Sequence, residues 1–80
     1  MPYIKQEDRE SVKNSQPKNV GSLNYVITTL CKEYLEKNGE SYGTYNDLIG
    51  VLECAKLELY RRKIAFYEDK KIIDNGDVWD

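Results

Sequence analysis

The chain has 80 residues, of which 40% are hydrophobic and 32% charged, and its formal net charge at pH 7 is −2. Because a chain of this length buries only roughly 60% of its unfolded surface, it forms one domain at most, with a marginally sufficient core. The mildly acidic balance argues against general nucleic-acid binding, and the lack of histidine excludes the usual zinc patterns and histidine-activated nucleophiles.

Residues 1–20 are predicted to form an N-terminal arm rather than a second domain. The opening MPYIKQEDRE lacks the apolar core of a signal peptide, and no run of about 18 apolar residues occurs in the chain. Residues 14–19 are polar and typical of a linker, which leaves Tyr3, Ile4 and Val12 as the apolar anchors of the arm. We expect a cytoplasmic protein with no membrane partner.

The first helix is predicted over residues 22–38, within GSLNYVITTLCKEYLEKNG. Its apolar residues recur at steps of three and four and form one stripe along the helix. Ser22 is the expected N-cap, and Asn38-Gly39 is the expected stop, because glycine adopts the left-handed conformation easily. The stripe consists of Leu23, Val26, Ile27, Leu30, Cys31, Tyr34 and Leu35.

The second helix is predicted over residues 45–74, with a tail over 75–80. Thr44 followed by Asp47 resembles a capping box at its start, and the sequence NGD provides a stop at its end. A six-residue connection implies that the two helices are antiparallel neighbours. The predicted fold class is therefore all-α: an antiparallel helical hairpin with one long C-terminal helix and an N-terminal arm, assembled as a homo-oligomer.

The two helices differ in length, since the first is about 25 Å long and the second about 45 Å. The first helix therefore covers half of the second, yet the uncovered half is also apolar. Another copy of the chain is expected to cover it; a monomer whose arm folds back is the alternative. One face of the second helix carries Leu48, Leu52, Ala55, Leu59 and Phe66. The predicted interface residues are Leu59, Ile64, Phe66, Ile72 and Ile73.

A basic and aromatic cluster in the second helix is the candidate ligand site. It consists of Tyr60, Arg61, Arg62, Lys63 and Tyr67. Arginine forks pair with phosphate or carboxylate groups, and tyrosine rings stack on bases, so the cluster suits a small anionic nucleotide. The alternative is ordinary ion pairing with Glu58, Glu68 and Asp69, all within helical reach.

The acidic residues do not form a convincing catalytic motif. MazG-type nucleotide pyrophosphohydrolases hold magnesium with Glu-x-x-Glu followed by Glu-x-x-Asp, and Glu33 with Glu36 fits the first half. The second half is missing, because neither Glu53 nor Glu68 is followed three residues later by an acidic residue. We therefore expect no catalytic residue, no metal site and no cofactor, and we interpret these carboxylates as a solvated face.

Two further patterns have simple structural interpretations. The DNGD sequence at Asp74–Asp77 is predicted to end the second helix, since a calcium-binding loop needs more ligands than follow it. Cys31 and Cys54 fall in nearly the same layer of an antiparallel hairpin. We expect both to be buried thiols that act as small hydrophobic side chains rather than a disulfide.

Several short motifs resemble those of a family of small proteins from tailed phages, prophages and bacteria. They are PYI near the start, G-x-LNY at the first helix, IGVLECAKLE-x-YRR in the second helix, and a closing YED…NGDV. The resemblance covers most of the chain, and residues 11–20 fit it least. It implies a phage-like protein in the bacterial cytoplasm, and it assigns no activity and no catalytic residue.

These observations lead to two functional hypotheses. The first is a non-enzymatic oligomer that binds an anionic nucleotide, such as a nucleotide immune signal, through the basic cluster. The second is an inhibitor or structural accessory protein that contacts a host or phage protein through the apolar end of the second helix. A nucleotide panel separates them, since the first alone predicts stabilisation by one class of ligand.

Overall fold

The computed structural model describes residues 6–8 and 16–79. These residues are helical or form short connections, and they contain no strand. Their elements are a single 3₁₀ turn at Gln6–Asp8, α1 at Val20–Asn38, α2 at Tyr42–Leu59, a π-helical turn at Tyr60–Ile64, and α3 at Ala65–Asn75. Because α2, the π turn and α3 follow one another without a break, we call them together the long helix.

The predicted helical hairpin with a long C-terminal helix is confirmed. α1 packs on α2, while α3 contacts the adjoining π turn and no other described element. The uncovered far half of the long helix thus matches the expectation from the helix lengths. The expected anchors of the arm, Tyr3, Ile4 and Val12, lie outside the described residues.

The N-terminal cap of α1 is Asn19, not Ser22 as predicted. The Asn19 side-chain Oδ1 accepts a hydrogen bond of 2.8 Å from the Ser22 amide, and Asn19 has extended backbone angles. The backbone amide of Ser22 is therefore the donor within the first turn, and the side chain of the asparagine three residues earlier is the cap that accepts from it. At the other end, the predicted stop is confirmed: Gly39 has φ of +85°, and its amide donates to the Leu35 carbonyl at 2.8 Å.

The connection between α1 and α2 is shorter than expected, and it comprises residues 39–41. Ser41 is the cap of α2, accepting from the Thr44 amide at 3.2 Å, so the prediction of Thr44 as the cap is wrong. The Tyr45 hydroxyl donates to Glu40 Oε1 at 2.9 Å across this turn. That hydrogen bond, followed by desolvation and the negative charge of Glu40, raises the pKa of Tyr45 above its ordinary value.

The long helix is not a continuous α-helix. The Ala65 amide donates to the Tyr60 carbonyl, five residues earlier, which widens one turn and accommodates an extra residue. A turn of this kind interrupts the α-helical register of the side chains that follow it. The prediction that Phe66 shares a face with Leu59 assumed an uninterrupted α-helix and stays a prediction.

In a single chain, none of the residues whose exposure is described is buried. Its accessible surface is 7563 Å², whereas a folded monomer of 9.4 kDa exposes roughly 5,000 Å². Its radius of gyration is 16.8 Å, against about 12 Å for a compact domain of this length. In the described part of the chain, no helix has the length and apolar character needed to cross a membrane.

Both cysteines are free thiols, and they differ in exposure. Cys31 is half-buried between α1 and α2, and Cys54 is exposed. Neither thiol is fully buried in a single chain, so the prediction of two buried thiols is not met, and Cys54 departs from it further than Cys31.

The position of the α1 cap can be tested with two alanine variants. Asn19→Ala should lower the free energy of unfolding by about 1 kcal/mol, since it leaves the Ser22 amide without its acceptor. Ser22→Ala is the matched control and should change stability by less than about 0.5 kcal/mol, because only the backbone of Ser22 takes part in the cap. Urea unfolding at one fixed protein concentration measures both. A larger loss for Ser22→Ala would contradict the observed cap.

The state of the thiols can be tested by reduction. A mild reductant should leave the melting temperature unchanged, because loss of a disulfide would cost about 2–5 kcal/mol and free thiols lose nothing. Thermal unfolding with and without reductant makes the measurement. A clear fall on reduction would show that Cys31 and Cys54 are bonded.

Candidate functional site

The basic residues of the π turn line an open depression on the long helix. We call it the basic depression; its volume is about 470 Å³, and its lining residues are Arg61, Arg62, Lys63 and Phe66. The three predicted cations are thus brought together at one surface. The predicted aromatic partners Tyr60 and Tyr67 do not line the basic depression.

The three cations of the basic depression are not equivalent. Arg61 Nη2 lies 2.8 Å from Glu58 Oε1, and the Arg61 side chain is 67% exposed, so this pair contributes about 0–1 kcal/mol. No ion pair or side-chain hydrogen bond links Arg62 or Lys63 to another described residue. The predicted alternative of ordinary ion pairing therefore applies to Arg61 and leaves two cations available.

Phe66 is the aromatic residue that sequence reasoning did not assign to the ligand site. Its ring is 69% exposed beside the cations. The predicted Tyr67 instead has the Lys71 ammonium 5.5 Å from its ring centroid, a cation–π arrangement that occupies one ring face. A signal was available, because Arg62 and Phe66 are four residues apart and such pairs are neighbours on a helix.

A second open site lies between α1 and α2, and sequence reasoning missed it. We call it the hairpin groove; its volume is about 470 Å³. The lining residues are Ile27, Leu30, Cys31, Tyr34, Asp47, Leu48, Val51 and Leu52. The helix lengths predict that α1 covers this half of the long helix. Leu30 and Val51 nevertheless remain 51% and 57% exposed, because two helices bury only the sides that face each other.

The predicted interface residues of the far half are all open to solvent in a single chain. Their exposed fractions are 56% for Leu59, 37% for Ile64, 69% for Phe66, 41% for Ile72 and 82% for Ile73. The π turn lies between Leu59 and the last three of these residues along the chain. Their role as an interface remains a prediction.

The acidic residues keep the roles of a solvated face and a helix end. Glu36 pairs with Lys32 at 3.8 Å, and both side chains are mostly exposed. The described residues contain no group of three or more His, Cys, Asp or Glu side chains that could hold a metal ion. The predicted stop after α3 is confirmed, since Gly76 has φ of +88° and its amide donates to the Ile72 carbonyl at 2.9 Å.

The chain belongs to a family of unknown function. A family model described as a domain of unknown function (DUF6899) matches residues 1–78, which is nearly the whole chain. No curated protein and no solved structure matches the chain. The role of the two open sites therefore has to be argued from their own chemistry.

The apolar far half of the long helix yields a test of assembly. In a single chain, Ile73→Asp should change stability by less than about 0.5 kcal/mol, because Ile73 is 82% exposed. If another copy covers Ile73, the substitution buries a carboxylate, which costs several kcal/mol, and the assembly becomes smaller or less stable. Light scattering and thermal unfolding measure both effects.

The control for this test is Val78→Asp, which makes a similar change at a 92% exposed position beyond α3. It should leave size and melting temperature unchanged. Ile73→Asp protein that keeps the wild-type mass and melting temperature would show that this part of α3 is not covered.

Proposed function

We propose that this family member is a non-enzymatic, homo-oligomeric protein that binds a small phosphate-bearing ligand, most simply a nucleotide, in the basic depression. One observation carries the proposal. Arg62 and Lys63 lie beside an exposed phenylalanine and have no partner among the described residues, and both belong to a π-helical turn.

The π turn supports a functional role for these residues. π-helical turns are rare, and single ones inside α-helices occur frequently at functional sites. Here the turn comprises Tyr60–Ile64 and so contains all three cations of the basic depression. A sequence selected for helix stability alone would not need this widened turn.

The chemistry of the basic depression suits a nucleotide. The Arg62 guanidinium offers a planar fork of donors for phosphate oxygens, and the Lys63 ammonium adds a point charge. The exposed ring of Phe66 provides a face on which a base can stack. Arg61 adds positive charge while it remains paired with Glu58.

The openness of the basic depression supports binding by an oligomer rather than by one chain. Sites for small molecules usually enclose 70–90% or more of the ligand. A depression on one side of a single helix leaves most of a nucleotide in water. Two or more copies that bring their π turns together would enclose the ligand and double the number of phosphate-binding cations.

The sequence motifs support a setting for this activity. We propose a phage or prophage protein that acts in the cytoplasm of its bacterial host. There, a stoichiometric binder without turnover would lower the free concentration of a nucleotide immune signal. Such a role requires affinity and abundance, and it requires no catalytic group.

A second candidate function rests on the exposed apolar end of the chain. Phe66, Ile73 and Trp79 are 69%, 82% and 85% exposed, and large aromatic residues dominate the energetics of many protein interfaces. A protein with this surface could act as an inhibitor or accessory that contacts a host or phage protein. This candidate predicts no effect of nucleotides on stability.

A nucleotide panel tests the proposed function. One class of nucleotide should raise the melting temperature and remain chemically intact during the incubation. At a ligand concentration of about 100 times Kd, the gain is about 2.7 kcal/mol of folding free energy. Thermal unfolding and chromatography of the recovered nucleotide make the two measurements.

Two glutamine variants separate a binding site from general electrostatic attraction. Lys63→Gln should abolish most of the ligand-induced stabilisation. Lys70→Gln removes the same charge from the same long helix, outside the basic depression, and should retain it. Equal losses in the two variants would contradict a specific site.

The role of Arg62 gives a finer test of phosphate binding. Arg62→Lys keeps the charge but loses the planar fork, so binding should weaken clearly. Binding should also weaken as the salt concentration rises, because exposed phosphate contacts are screened. If no nucleotide stabilises the wild-type protein, and the Arg62→Lys variant responds to each nucleotide as the wild type does, the basic depression is a solvated face.

A further inference from the structure

The exposed apolar side of α1 has the spacing of a helix-packing seam. Its members are Val20, Leu23, Ile27, Leu30 and Tyr34, which follow one another at steps of three, four, three and four. This is the spacing at which side chains of one helix insert between those of another in coiled coils and four-helix bundles. All five remain exposed when α1 is packed on α2, with exposed fractions between 38% for Ile27 and 83% for Val20. The hairpin therefore leaves a large part of this seam uncovered.

The hairpin groove adds a matching strip from α2 beside this seam. Leu48, Val51 and Leu52 of α2 line the groove together with Ile27 and Leu30 of α1. Two antiparallel helices with a shared apolar face form half of a four-helix bundle. The missing half has to offer two more helices with the same kind of face.

We propose that the hairpin groove is occupied by the hairpin groove of a second copy, so that two chains form a four-helix bundle. The interface is isologous, with the same residues contributed by each chain about a two-fold axis. This inference rests on the homo-oligomeric part of the proposed function and identifies the surface through which the copies meet. It is independent of the ligand.

The area available favours a second copy. A single chain exposes about 2,500 Å² more than a folded monomer of its mass, whereas a stable interface takes about 800 Å² from each partner. The excess is therefore large enough for such an interface and leaves surface for further contacts. No described residue is buried in one chain, so a partner that is made together with the chain suits this surface. A second copy is such a partner, and its occupancy of the groove rises with the concentration of the chain.

The polar groups around the hairpin groove fit the edge of an interface. Asp47 is the charged residue among those that line it, and it lies near the connection between the helices. On α1, the Thr28 hydroxyl bonds to Asn24 at 3.1 Å, and neither residue lines the groove. An apolar centre with polar groups at the margin is the usual arrangement of protein interfaces.

A matched pair of substitutions on α2 tests the proposal in the absence of ligand. Val51 lines the hairpin groove and Ile49 does not, yet both are β-branched and more than half exposed in one chain, at 57% and 66%. Val51→Asp should lose the dimer, while Ile49→Asp should retain a mass of at least twice 9.4 kDa by light scattering. A dimeric Val51→Asp protein, equal effects of the two substitutions, or a monomeric wild-type chain would overturn the proposal.

Alkylation of the wild-type thiols keeps the proposal testable if Val51→Asp does not fold. Cys31 lines the hairpin groove, and exposed Cys54 is an internal control outside it. Because Cys31 is already half-buried in one chain, the test compares its own rate in dimer and monomer: Cys31 should react more slowly in the dimer than after dilution to monomer, while the rate of Cys54 stays the same. A Cys31 rate that does not change between dimer and monomer would show that a second copy does not cover the groove, and would overturn the proposal.

The ligand tests and the assembly tests can fail separately. If the protein dimerises through the hairpin groove but binds no nucleotide, the ligand proposal fails and the interface proposal stands. If the protein binds nucleotide but the Val51→Asp variant assembles like the wild type, the interface proposal fails and the ligand proposal stands.

Discussion

The excess of apolar surface over what one chain can bury is the constraint on which the rest of this protein depends. Two helices that pack side by side cover only the strips that face each other, and no described residue reaches full burial. Hydrophobic burial is the dominant favourable term in folding, and a chain of this length has little of it to lose. The exposed apolar residues of α1, α2 and α3 are the reason why we propose that copies of the chain associate.

The long helix joins two regions that make different contacts. Its first part, α2, packs on α1 and contributes one side of the hairpin groove. Its last part, α3, extends beyond the hairpin and contacts no described element except the π turn. The π turn lies between them and carries the basic residues, so a contact that orients the two hairpins also determines how the basic depressions of two copies face each other.

The predictions that depended on local sequence succeeded where one local interaction dominates. Gly39 and Gly76 end their helices because each has positive φ, which is easy for glycine and costly for other residues. The caps were harder to predict, because several polar residues near each helix start compete for the same amides. Asn19 and Ser41 take these positions, and the expected caps Ser22 and Thr44 instead provide the amides that donate to them.

The sequence predicted which charged residues form the candidate site, but it did not predict how their side chains are arranged. Arg61, Arg62 and Lys63 were identified from the sequence as a cluster, and the structure brings all three to one depression. The pairing of Arg61 with Glu58 was one of several possible ion pairs, and helical spacing alone did not choose among them. The aromatic residue that lines the site is Phe66 rather than Tyr60 or Tyr67.

The sequence by itself determined the class of fold, the presence of two helices, their glycine stops and the clustering of three cations, because these follow from the periodicity and composition of neighbouring residues. Only the tertiary structure decided the π turn, the open hairpin groove and the exposure of Cys54. The physical reason is that hydrophobic periodicity tells which side of a helix avoids water but not which surface covers it. That choice depends on how α1 packs on α2 and on the widened turn at Tyr60–Ile64, which interrupts the α-helical register.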